Sequence, residues 1–189
     1  MSVWGVLSLS GLDAARLAQH RRELSGYLDG LVAVPAESGQ PPVPPAVRFR
    51  GVLGTLLTGL SSVPDGVDRI AYLDSRALGS LGIEPVVQMM SWLDDDHAAV
   101  VRAVPVTDAL KRVEDGTVIG GVERAGLYVP QPPHVYRREA LDQALLWTGG
   151  ATAGRRQAET DPAGLLVAAG HAVRVVRDAG PPFTLAVGA

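Results

Sequence analysis

Apolar residues along this chain fall into two kinds of run. Val3 to Leu9, Leu31 to Val34, Asp68 to Leu73, Ala98 to Val104 and Ala172 to Val176 are short, nearly continuous stretches of strand length. Such runs fit strands covered on both faces of a sheet. Between them, apolar residues recur at helical spacing: Leu17, Leu24 and Leu28; Leu53, Leu56 and Leu60 within Gly51 to Ser61; Val86, Met89 and Leu93; Ala140, Leu141 and Ala144 within Tyr136 to Trp147. Punctuation agrees with this division. Ser10 and Asp13 have capping-box spacing, Gly30 closes the first helix, Pro85 suits a first turn, and Asp161-Pro162 opens a helix that Gly170 ends. Strand, helix, strand in alternation predicts an α/β fold with right-handed crossovers and a mostly parallel sheet flanked by helices.

One stretch breaks the rhythm. Val104 to Tyr136 holds a polar segment with Thr107, Asp108, Lys111 and Arg112, then Asp115-Gly116 between two β-capable runs. Asp-Gly tolerates φ > 0 at both central positions, so a hairpin is predicted, with strands at Thr117 to Val122 and Gly126 to Val129. The prolines at 130, 132 and 133 donate no N–H to a ladder, so the arm is expected to end there and Tyr136 to open a helix. Residues 104–131 thus read as a β-arm protruding from a single domain over residues 1–189.

Composition narrows the classes. A chain of 189 residues buries about 70% of its unfolded surface as one domain. A net charge of -3 gives no electrostatic case for nucleic acid or an anionic membrane. With no cysteine, thiolate catalysis, disulfides and cysteine-ligated zinc are excluded together. No apolar run reaches the roughly 18 residues a membrane span needs, and the amino terminus lacks a signal-peptide pattern. A cytoplasmic protein is the expectation. The four histidines have no ligand spacing, and Asp94-Asp95-Asp96 reads as a solvated turn rather than a metal cluster.

Several segments together resemble the 2-C-methyl-D-erythritol 4-phosphate cytidylyltransferases: Ala98-Ala99-Val100-Val101, Pro105-Val106-Thr107-Asp108, Lys111, Asp115-Gly116, Glu123-Arg124-Ala125-Gly126-Leu127, Gln131, Tyr136 to Leu141 and Thr160-Asp161. The resemblance implies a Rossmann-like nucleotidyltransferase fold and an arm that exchanges between subunits of a homodimer. It also implies attack of a substrate phosphate on the α-phosphorus of CTP, with Mg²⁺ and cations carrying the anionic transition state. By that likeness Arg124 and Asp108 are substrate-binding candidates, Asp74 is the metal candidate, and Lys111 is kept. Pro35, Ala36, Ser38 and Gly39 stand where the nucleotide phosphates would be cradled.

The pattern is incomplete. The segment Pro35 to Pro45 carries one glycine, the carboxylate of Glu37 and several prolines, where amide donors and a lysine are needed. Pro45 falls where the lysine belongs, and Arg48 and Arg50 are the candidate substitutes. A second lysine falls on Thr184, and family threonines on Ala109 and Pro132. The expectation is a divergent, catalytically impaired member acting as a dimeric partner or regulatory protein, with a possible further protein partner. An active CTP- and Mg²⁺-dependent cytidylyltransferase and a module binding an anionic small molecule stand as alternatives.

Overall fold

The structure, a computed structural model, describes residues 1–9, 14–35, 51–147, 161–177 and 183–185. The chain runs β1 (Val3–Leu9), α1 (Ala14–Leu24), β2 (Gly30–Pro35), α2 (Gly51–Leu60), β3 (Arg69–Asp74), α3 (Ser75–Leu81), α4 (Glu84–Trp92) and β4 (Ala99–Pro105). It continues through β5 (Lys111–Glu114), β6 (Thr117–Gly121), β7 (Tyr128–Arg137), α5 (Arg138–Trp147), α6 (Pro162–Ala168), β8 (Val173–Arg177) and β9 (Phe183–Leu185). Seven strands form one sheet in the order β2-β1-β3-β7-β4-β8-β9, with β7 and β9 antiparallel to their neighbours. The expected α/β architecture is present.

Alternation along the strands builds two cores. Val6, Ile70, Tyr72, Val101, Tyr136 and Val173 point to one face, under α2, α5 and α6. Leu7, Ala71, Leu73, Val100 and Val135 point to the other, under α1, α3 and α4. The approach of α2 to β1 needs a residue without a side chain, because a Cβ on Gly59 would lie 2.4 Å from Val6 Cγ1.

Three local expectations change. The first concerns Leu31 to Val34, expected inside the sheet. Among the described residues, β2 pairs only with β1 and lies at the sheet edge, half-buried over most of its length. A continuous apolar run marks burial without saying which strand position provides it.

The second concerns the prolines. They do not stop the ladder: β7 runs for 10 residues from Tyr128 to Arg137, and the helix begins only at Arg138. The register slips between Val101, opposite His134, and Arg102, opposite Gln131. Pro132 and Pro133 fall in that irregularity, where no residue of β4 stands opposite them and no ladder donor is required. Tyr136 is therefore a fully buried strand residue and not a helix start. The third is α3, a short helix absent from the sequence reading, which follows directly on Asp74.

The arm hairpin forms as the sequence predicts. Asp115 and Gly116 both adopt positive φ, 47° and 78°, and join β5 to β6. These two strands form a sheet of their own, and the residues Val113, Val118 and Ile119 are more than half or about half exposed.

Candidate functional site

In an open α/β sheet, ligands bind at the carboxyl ends of the strands where the winding reverses. Here β1 is followed by β2 on one side and takes β3 on the other, so the reversal lies between β1 and β3. Ser8 and Asp74 are register partners at that point. The loop leaving β1, with Ser10, Gly11 and Asp13, lies outside the described residues, as do Ala36, Ser38, Gly39, Arg48 and Arg50. Pro35 is the last residue of β2, opposite Leu9. The reversal lies one strand away from the loop after β2 that the sequence reading favoured.

Asp74 ends β3 and caps α3. Its Oδ1 accepts from the N–H of Arg76 at 2.9 Å and of Ala77 at 3.4 Å, and the Arg76 guanidinium lies 3.5 Å away. An N-cap carboxylate satisfies amides that the first turn leaves orphaned. Magnesium requires near-octahedral oxygen coordination, with one or two carboxylates and substrate phosphates supplying it. Among the described residues no group of three acidic or histidine side chains could hold a metal. The described residues around Asp74 thus supply one carboxylate, which also serves as the helix cap.

Polar side chains continue from Asp74 into the sheet. Tyr72, on the α2 face, is 4% exposed and lies near Ser8. Burial, and then the nearby Asp74 carboxylate, push the Tyr72 phenol up to about 12. The Tyr72 ring packs against His134 at 5.8 Å between centroids. His134 is fully buried, its Nδ1 is 2.7 Å from Tyr136 Oη, and the Tyr136 phenol is itself raised by burial. Burial lowers His134 to about 4, against a partial counter-effect from the Gln131 carbonyl, so the ring is neutral near pH 7. Sequence reasoning missed Ser8, Tyr72 and His134. The available signal was a polar residue at an inward-facing position of an apolar strand.

The arm candidates lie beyond the carboxyl end of β4, on and around the hairpin. Lys111 opens β5 opposite Gly121. Arg124 lies beyond β6 and donates from Nη1 to the Thr107 carbonyl, beside Asp108. Thr184 stands in β9 opposite Arg174.

The amino ends of the strands show a different arrangement. Arg69 donates to the carbonyls of Met90 and Leu93 at 2.8 and 2.9 Å, and Arg174 to that of Trp92 at 2.7 Å. These close the carboxyl terminus of α4, where a cation also complements the helix dipole. Asp94 joins Arg174 at 2.6 Å and His97 at 2.6 Å, and Asp95 joins Arg137 at 2.7 Å. Hydrogen bonding from His97, foremost, holds the Asp94 carboxyl below its ordinary value. The three consecutive aspartates form a solvated turn, as expected, and two of them are paired with arginine.

Comparison with known proteins gives one family. A model described as 2-C-methyl-D-erythritol 4-phosphate cytidylyltransferase matches residues 55–185. The bifunctional enzyme IspD/IspF of Clavibacter michiganensis is 32% identical over 160 residues, covering 83% of this chain and 36% of that protein. The 2-C-methyl-D-erythritol 4-phosphate cytidylyltransferase of Bacillus licheniformis is 34% identical over 94 residues, covering 50% of this chain and 38% of that protein. The matches thus span well under two thirds of these relatives' length. Among solved structures, a 4-diphosphocytidyl-2C-methyl-D-erythritol synthase aligns with a TM-score of 0.62 at 19% identity, over 94% of this chain and 89% of that one. The Thermus thermophilus cytidylyltransferase aligns with a TM-score of 0.59 at 18% identity, over 93% and 87%.

Proposed function

The chain belongs to the 2-C-methyl-D-erythritol 4-phosphate cytidylyltransferase family, and from that premise we propose that it is a divergent member acting by association through its arm. The supporting observation is the hairpin itself. A two-stranded ribbon is marginally stable in water unless something covers it. This one presents Val113, Val118 and Ile119 to solvent and pairs with no other strand among the described residues. A second copy of the chain is the occupant that the resemblance supplies. Catalytic impairment is the companion proposal. It is supported by Asp74 serving as a helix cap and by the loss of both family lysines, at Pro45 and Thr184.

Sedimentation or light scattering tests the association. The wild-type chain is expected to dimerise and Ile119→Asp to remain a monomer; a wild type that is monomeric at every concentration defeats the reading. Calorimetry with CTP and Mg²⁺ tests impairment, with no saturable binding expected in the micromolar range.

The active enzyme is the second reading, and the place of Asp74 favours it. This carboxylate stands at the winding reversal, where a nucleotide-borne metal would arrive. In that case a substrate phosphate oxygen bonds to the α-phosphorus of CTP and pyrophosphate leaves. Saturable CTP binding that Asp74→Asn abolishes would establish this reading. A bound anion at Arg124 would have to displace the bond to the Thr107 carbonyl, which counts against the small-molecule module.

A further inference from the structure

The arm leaves the sheet on one leg and returns on another. Pro105, ending β4, and Tyr128, opening β7, are the last register partners before it. Beyond them the Val106 N–H donates to the Leu127 carbonyl at 3.0 Å, and the Leu127 N–H to that of Arg124 at 3.0 Å. The Arg124 guanidinium donates to the Thr107 carbonyl. These bonds fasten the arm's own residues to one another. None of them sets the direction of the arm against the sheet.

Arg177 makes a contact of the other kind. It ends β8, which lies on the far side of β4 from β7, and its register partner is Ala103 of β4. By alternation it shares a face with Val173 and Val175, and on that face Tyr128 packs against the core under α2, α5 and α6. The guanidinium carbon of Arg177 lies over the Tyr128 ring, 5.0 Å from its centroid. The side chain thus crosses the end of β4 and holds the first residue of the returning leg. Arginine suits this task, since its stem can reach across a strand while its planar head stacks on an aromatic face.

We infer that Arg177 is a positioning residue for the arm: by pinning the Tyr128 ring at the root, it sets the angle at which the hairpin leaves the sheet. The consequence for association rests on the reading proposed above. An arm already aimed gives up less freedom when it seats on a second copy. Each chain of a dimer carries one such contact, so loss of both should weaken association about 5- to 30-fold.

The direct test reads the arm's angle within one chain. The sequence has no cysteine, so Thr117→Cys on the hairpin and Gln88→Cys on α4 accept two spin labels. Double electron–electron resonance then gives the spread of distances between them, in the dispersed Ile119→Asp background. Arg177→Met and Tyr128→Leu are each expected to widen that spread, and the two together to widen it no further. Tyr128→Phe, which keeps the ring, should leave it narrow. Equal spreads with and without Arg177→Met overturn the assignment, whether or not the chain dimerises. Sedimentation of unlabelled wild type and Arg177→Met reads the consequence, and an unchanged dimer affinity breaks the link between aim and association. A wild type monomeric at every concentration removes the association alone, since the distance measurement still decides the role of Arg177.

Discussion

At the amino ends of the parallel strands ionisable groups are numerous and neutralise one another; among the described residues at the carboxyl ends, the groups reaching into the sheet are uncharged and buried. Arg69, Arg137 and Arg174 at the amino end all donate to carbonyls around the close of α4 or to the aspartates after it. Their arrangement is complete within one chain. Among the described residues, the carboxyl end holds the buried side chains of Ser8, Tyr72 and His134 beneath Asp74. A dense charge cluster thus marks a structural joint in this protein, while the row of buried hydroxyls and the imidazole lies at the opposite edge of the sheet.

The largest expected effect separates the two ends by pH. The folded value of His134 is depressed to about 4 from 6.5, so the unfolded chain binds its proton first as pH falls. Stability is then fully present above about pH 6.5 and declines down to about pH 4, by on the order of 3 kcal/mol. Urea titrations at several pH values should show this slope, and His134→Gln should flatten it. Asp94 is also depressed, so its contribution is present above the unfolded carboxyl value and is lost only as pH falls through its lower folded value. A profile flat from pH 7 to 5 in the wild type would contradict the assigned burial of His134.

Next in size is Arg174→Met, which keeps the stem but removes the donor to the Trp92 carbonyl and one of the partners of Asp94. A loss of about 1.5 kcal/mol is expected in denaturant unfolding, the low end of what a hydrogen bond to a charged group contributes. A change within about 0.5 kcal/mol would mean that the clamp is only surface decoration.

The smallest effect tests Asp74. Replacing an N-cap aspartate by alanine should cost about 1 kcal/mol, whereas asparagine, an equally good cap, should be nearly neutral. Equal destabilisation by both substitutions would show that the charge matters more than the cap.

Much of the fold was legible because it rests on local rules. The apolar runs at Val3 to Leu9 and Ala98 to Val104, the Asp115-Gly116 turn and the Asp161-Pro162 start each follow from backbone preferences of the residues themselves. The arm candidates Asp108, Lys111 and Arg124 were found by likeness to a family and lie on the arm as expected. Ser8, Tyr72 and His134 were not legible, because each is one polar residue in an apolar strand and its meaning depends on which strands become neighbours. Pro132 and Pro133 misled for a similar reason: a ladder needs donors only where a partner strand stands opposite.

By itself, then, the sequence determined the alternation of strands and helices, the hairpin and the family, since periodicity, turn chemistry and capping act over a few residues. Tertiary structure alone decided that β2 lies at an edge, that β7 passes through its prolines, and that His134 faces Tyr72. These are outcomes of pairing between segments far apart in the chain, where register and sheet order, and no single residue's preference, set the neighbours.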